Sequence, residues 1–129
     1  MEILRWKTRI AVLWVFMAVA MSAHGIFSFM VPELVEEMWE MGMGQGMMLF
    51  MALFWWVPLV MAVLSLTLKD SANRWANFVV GIVFTILNIV HFTEHLSPPS
   101  ACQILIIGST VVVTGLIAWL AWRWPKQQT

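Results

Sequence analysis

Residues 47–95 read MMLFMALFWWVPLVMAVLSLTL-KDSANR-WANFVVGIVFTILNIVHFTEH. Two apolar stretches flank one short charged link. Each stretch is close to the ~20 residues that cross ~30 Å of hydrocarbon as a helix. The link carries Lys69 and Arg74, and the far ends of both stretches carry no basic residue. The same alternation extends in both directions. Four apolar stretches, 10–31, 47–68, 75–95 and 101–122, divide the chain. All 7 basic residues lie before the first, between the second and third, or after the fourth. The other two connections hold Glu33, Glu36, Glu37, Glu40 and Glu94, with no Lys or Arg. A soluble protein has no reason to sort charge this way. A four-span membrane protein does, because basic loops stay on the cytoplasmic side. The expected fold is therefore an all-α membrane protein, a four-transmembrane-helix antiparallel bundle. Residues 1–129 form one domain, both termini are cytoplasmic, and the lipid bilayer is the main partner.

Composition agrees. Hydrophobic residues make up 61% of the 129 residues and charged residues 11%, against about 45–50% and 25% in soluble domains. The net charge is zero and no basic patch is present, so nucleic acid is not an expected partner. Cys102 is the single cysteine, which excludes an internal disulfide and a multi-cysteine zinc site. Tyrosine is absent. The first stretch, with Arg5–Arg9 ahead of it and Ala18-Val19-Ala20 within it, could be read as a signal peptide. Its apolar run continues to Val31, longer than a signal core, so it is read as the first membrane helix.

Between the first two spans, Pro32-Glu33-Leu34-Val35-Glu36-Glu37-Met38-Trp39-Glu40 places apolar residues on one helical face and glutamates on the other. This predicts a short amphipathic helix on the outer membrane surface. Asp70 or Ser71 is expected to cap the third span and Ser100 the fourth. The short links at 69–74 and 96–100 predict that the second, third and fourth spans are successive antiparallel neighbours. Trp6, Trp75, Trp122 and Trp124 form an inner aromatic belt. Gly108, Gly115, Ala118 and Ala121 give the fourth span small residues for close helix approach, and a homodimer is expected from them.

The third span carries the most informative stripe. At 100° per residue, Asn77, Gly81, Phe84, Asn88, His91 and His95 share one face. Polar groups at lipid depth face the protein interior, so this face looks into the bundle, and Ile82, Ile86 and Ile89 look out. His91 lies about 26 Å along the helix from Arg74, and His24 about 22 Å from Arg9. All 3 histidines thus sit near the outer boundary, at the depth of Cys102 and Gln103. His24, Asn88, His91 and His95 are candidates for an outward-facing ligand pocket. His24, His91 and His95, with Met21 one turn below His24, are a candidate metal set.

Zinc, copper and haem are each chemically open to this set. His91 and His95 are i and i+4, which lets two imidazoles reach one ion. His24 with His91 or His95 could supply an axial haem pair. Methionine beside histidine suits copper(I). The string from His91 to His95 also matches the H-x-x-E-H pattern of inverted zinc peptidases. Glu94 lies about 100° off the histidine face, however, and no third ligand or substrate cleft of that kind accompanies it. The plain alternative is that the histidines are interfacial residues bonded to one another, to water or to backbone. Trp55-Trp56-Val57-Pro58 suggests a second ligand-binding place, where proline kinks the helix and indoles line a pocket.

No carboxylate lies within the membrane interior, which speaks against a drug–proton exchanger. No phosphate loop, Ser-His-Asp set or CxxC pair is present. The reading is a small membrane protein with a polar, histidine-lined outer pocket for a ligand or metal, or a structural role in a membrane complex. The alternative is a membrane-embedded enzyme acting on a lipophilic substrate, or a haem- or copper-binding protein. Ala72-Asn73-Arg74-Trp75-Ala76-Asn77 and Ala121-Trp122-Arg123-Trp124-Pro125, with Leu13-Trp14-Val15-Phe16, resemble a family of small bacterial four-helix membrane proteins whose domain is uncharacterised. The resemblance covers nearly the whole chain. It implies the four-span fold and the bacterial inner membrane, and it carries no activity or site residue.

Overall fold

The computed structural model describes residues 1–97 and 99–126. Pro98 of the expected outer link, and 127–129 of the expected inner tail, lie outside them. Five helices follow in order: α1 (Glu2–Phe29), α2 (Pro32–Met41), α3 (Gln45–Thr67), α4 (Asp70–Glu94) and α5 (Ala101–Trp122). Among the described residues α1, α3, α4 and α5 are each long and apolar enough to cross a membrane. Two of them overrun their apolar stretches. α1 begins at Glu2 and α4 at Asp70, each with an acid in its first turn that favours the helix dipole.

The short connections have local causes. Pro32, with its fixed φ, opens α2. Gly42 closes it at φ 57°, and its N–H bonds to the Trp39 carbonyl at 3.3 Å. A residue with a Cβ would be strained there. Leu34, Val35 and Met38 are half-buried, whereas Trp39 is 82% exposed and not packed with them. Ser100 caps α5 by accepting from the Gln103 N–H at 3.4 Å. The expected side-chain cap at Asp70 or Ser71 does not form. Lys69 is the N-cap residue and makes no capping bond, while the Asp70 carboxylate pairs with Lys7 Nζ of α1 at 3.0 Å.

The expected succession α3, α4, α5 holds around the ring, but the contacts are uneven. α1 lies between α3 and α5, α5 packs along α4, and α3 and α4 approach each other least. The ring order is α3–α1–α5–α4, with α1 and α4 on a diagonal. The cause is side-chain size. Gly81 of α4 sits so close to α5 that a Cβ on it would meet the Ala118 backbone N at 3.1 Å. Between α3 and α4, by contrast, Phe54 and Phe84 stand ring to ring, 5.6 Å between centroids. Ala118 and Ala121, expected at a dimer seam, are buried inside the chain. Of the two glycines, a Cβ on Gly108 would meet Phe92 at 3.5 Å, and one on Gly115 would have nothing within 4 Å among the described residues.

The polar stripe of α4 faces inward. Asn73, Asn77 and Asn88 are fully buried, and Gly81 and Phe84 are buried between them. Ile82, Ile86 and Ile89 are exposed. At the end of the bundle that holds the α3–α4 link, Asn77 is the meeting point of three helices. Its Oδ1 accepts from Trp14 Nε1 of α1 at 2.6 Å and lies 3.0 Å from Ser65 Oγ of α3, whose hydroxyl also has the Met61 carbonyl at 2.6 Å. Its Nδ2 donates to Asn73 Oδ1 at 2.6 Å and to the Asn73 carbonyl at 2.9 Å. Asn73 Nδ2 in turn donates to the Ser65 carbonyl at 2.7 Å. Below this layer Lys7 Nζ donates to the Leu68 carbonyl at 3.0 Å, and Trp6 Nε1 to the Leu120 carbonyl at 2.8 Å. Arg74 lies over the Trp75 and Trp122 rings, 5.5 and 5.9 Å from their centroids.

Asn88 is held less well. Its Nδ2 stands 3.4 Å from both the Thr110 carbonyl and Thr114 Oγ1, and 3.6 Å from Met17 Sδ. Its Oδ1 has no partner among the described residues. Replacing both sides of a weak pairing with apolar groups costs little, whereas orphaning a buried donor costs roughly 1–3 kcal/mol. Asn77→Leu is therefore expected to lower thermal stability in detergent strongly, and Asn88→Leu to change it little. Equal losses in the two variants would contradict the difference in their bonding. Gly81→Leu is likewise expected to cost roughly 1–3 kcal/mol by overpacking, while Gly115→Ala should be neutral. Thermal melting of the two glycine variants side by side checks the α4–α5 contact.

Candidate functional site

At the other end of the bundle, beside α2, the three histidines meet. His24 comes from α1, one turn before that helix ends. His91 comes from the last turn of α4, and His95 is the residue that caps it. α1 and α4 run in the same direction on the bundle diagonal, so their inward faces oppose each other across the core. Helical spacing then sets His91 and His95 one above the other, both toward α1.

The rings form a near-equilateral triangle. Centroids are 4.7 Å apart for His24 and His91, 5.0 Å for His24 and His95, and 4.9 Å for His91 and His95. All three contacts are edge-on. Each residue offers a ring nitrogen, and the three nitrogens lie within 4.8 Å of one another. His91 Nε2 and His95 Nε2 are 3.1 Å apart. Nitrogens bound to one tetrahedral zinc at ~2.0–2.1 Å stand about 3.3 Å apart. The pair on α4 is thus close to ligand spacing, and the third imidazole is within a small movement of it. All three side chains are half-buried.

A second layer holds His24. Its Nδ1 lies 2.8 Å from Gln103 Oε1 of α5. Gln103 is nine-tenths buried, and its Nε2 donates to Ser28 Oγ at 3.1 Å and lies 3.4 Å from the His24 carbonyl. Ser28 Oγ donates to that same carbonyl at 2.8 Å. Ser28 shares the His24 face of α1 through i, i+4 spacing. Gln103 enters the site because its own backbone N–H is capped by Ser100 at the start of α5.

The remaining sequence candidates are dispersed. Met21 is 6% exposed and belongs to the apolar core with Trp14, Met17 and Met61. Asn88 is fully buried below the histidine layer among Met17, Thr110 and Thr114. Trp55 and Trp56, expected to line one pocket, lie in different surroundings. Neighbouring residues on a helix point about 100° apart. Trp55 therefore packs against Gly25 of α1, at 3.6 Å from a built Cβ, while Trp56 is 61% exposed. Pro58 itself is fully buried. Trp55 Nε1 is buried with no partner among the described residues.

Two open clefts lie elsewhere. One of about 610 Å³ is lined by Lys69, Arg74, Trp75 and Trp124 beside the α3–α4 link. The other, of about 710 Å³, lies between Phe29 and the Pro32, Val35 and Trp39 side of α2. Neither is lined by a residue expected from the sequence to bind a ligand. Gln103 is the participant that depth alone did not single out. Its signal was a lone amide in the first turn of an apolar helix, level with His24.

No curated protein and no solved structure matches the chain. A family model does, over residues 1–129, and the chain belongs to that family, described as Family of unknown function (DUF6326).

Proposed function

We propose that this is a multi-pass protein of the bacterial inner membrane, with both termini cytoplasmic, that binds a divalent transition-metal ion at its outer end. The ligands are His24, His91 and His95, and zinc is the ion whose geometry they fit. The observation that carries the reading is the convergence of three imidazole nitrogens, from two helices, within 4.8 Å. Three neutral nitrogen donors with a half-exposed face match a site that keeps its fourth position for water or an external group. Haem fits less well. A macrocycle needs a flat slot between its axial ligands, and these rings pack edge to face at 4.7–5.0 Å. A copper(I) site drawing on Met21 is also less favoured, since that thioether is part of the apolar core.

Orientation rests on the basic residues, which all sit at the end opposite the histidines. Five glutamates and no Lys or Arg mark the histidine end, and four of them, on α2, are exposed. That charge raises the local concentration of cations there.

Metal-stripped protein in mild detergent is expected to take up one zinc per chain in a calorimetric titration. His91→Ala with His95→Ala should abolish uptake, and His24→Ala should weaken it. Zinc should raise the melting temperature of the wild type in proportion to the logarithm of its excess over Kd, and leave the double variant unchanged. Absence of saturable uptake, or uptake that survives in the double variant, would reject the site. For the topology, single cysteines at Glu37 and Lys126, in a chain whose Cys102 is replaced, should differ in whole cells. An impermeant maleimide is expected to label the first and not the second; equal labelling of both would count against the orientation.

A further inference from the structure

We infer that Gln103 is a positioning residue, which holds His24 as the Nδ1–H tautomer and so turns its Nε2 lone pair toward His91 and His95. The inference deepens the metal reading and rests on it for its purpose, but the tautomer can be tested without any metal.

The Ser28 hydroxyl has one hydrogen, and the His24 carbonyl takes it at 2.8 Å. Toward Gln103, Ser28 can then only accept. The Gln103 atom at 3.1 Å from it is therefore the amide NH2. That group also faces the His24 carbonyl at 3.4 Å, where the amide oxygen would leave two oxygens opposed without a hydrogen between them. With the NH2 so placed, Oε1 faces His24 Nδ1 at 2.8 Å. An amide oxygen carries no hydrogen, so Nδ1 must donate. A neutral imidazole has one N–H, which leaves Nε2 as a lone pair. Every group in the chain Ser28–Gln103–His24 is satisfied in this arrangement, which keeps the Ser28 bond to the His24 carbonyl.

A ligand imidazole that donates its other N–H to an oxygen is the usual arrangement around protein-bound metals, because it fixes ring orientation and raises basicity. Here the oxygen is supplied by a buried side chain from a third helix. The α4 pair is different. At 3.1 Å between two Nε2 atoms, one of them must hold a hydrogen in the metal-free protein. That ring has to move its proton to Nδ1 before both can bind an ion. His24 needs no such change and is the preset member of the three.

The test uses full-length protein, labelled with 15N at histidine, in detergent micelles without metal. Long-range 1H–15N spectra are expected to show the His24 ring as the Nδ1–H tautomer in the wild type. Gln103→Leu, which cannot accept the bond, should shift His24 toward the Nε2–H form and lower zinc affinity about 10–100-fold. Gln103→Glu retains an acceptor and should restore both the tautomer and most of the affinity. A wild-type His24 in the Nε2–H form overturns the inference, as does a folded Gln103→Leu chain with unchanged tautomer. If instead the tautomer follows Gln103 but the wild type takes up no zinc, the positioning role stands and the metal reading falls.

Discussion

The Asn77 side-chain carbonyl is the contact on which the rest of the bundle depends. It sits at zero exposure in the core, receives a hydrogen from the α1 indole and meets the Ser65 hydroxyl of α3, while its own amide is tied to Asn73 of α4. Inside an apolar bundle an amide without partners costs several kcal/mol. The indole, the hydroxyl and the two amides therefore specify one another: none can slide along its helix without orphaning the next. Leucine packing alone would tolerate such sliding, because one apolar surface in lipid resembles another.

That lock sets the level of the histidines at the far end. From Asn77 to His91 the α4 axis rises about 21 Å, and from Trp14 to His24 the α1 axis rises about 15 Å. The remainder is the length of the indole. Helical side chains lean toward the N-terminus, and α1 and α4 run in the same direction. The Trp14 backbone thus lies farther toward the α2 end than the Asn77 carbonyl that its ring reaches. The Trp14–Asn77 bond at 2.6 Å and the His24–His91 ring contact at 4.7 Å are two ends of a single register. Trp14 also stands edge-on to Phe84 midway, with 5.7 Å between centroids.

The sequence resolved the axial coordinate of each residue far better than its angular one. Charge placement and length located four spans, and helical period put Asn77, Gly81, Phe84 and Asn88 on the buried face of α4. Depth likewise put all three histidines in one layer. How closely each pair of neighbours packs was not legible in that way. A short link makes α3 and α4 adjacent in the chain, but whether they pack closely depends on what stands between them. Phe54 and Phe84 hold them apart, whereas Gly81 lets α5 in against α4. The small residues Ala118 and Ala121 looked like a seam for a second copy because sequence cannot say which side of a helix its own chain covers. Trp55 and Trp56 were joined into one pocket through adjacency in sequence, although adjacent helical residues diverge. Asp70 was expected to cap because of its position, and Lys7, 63 residues away, claimed it instead.

Gln103 shows what would have been needed to read the histidine layer fully. Its depth was visible, but its partner lies on α1, reached through an α1–α5 contact that no local pattern encodes. Once α5 is placed against α1, amide, hydroxyl and imidazole come within hydrogen-bond reach of one another. The two halves of the site then differ in kind. His24 is braced by a buried amide from a third helix. His95 caps α4, beyond the last helical turn, and its ring meets only the other two histidine rings, His91 and His24, among the ring contacts of the described residues. On the proposed metal reading, His24 is already set and the α4 pair is the part that has to rearrange its proton. The bundle below, locked at Asn77, does not have to shift for the site to fill.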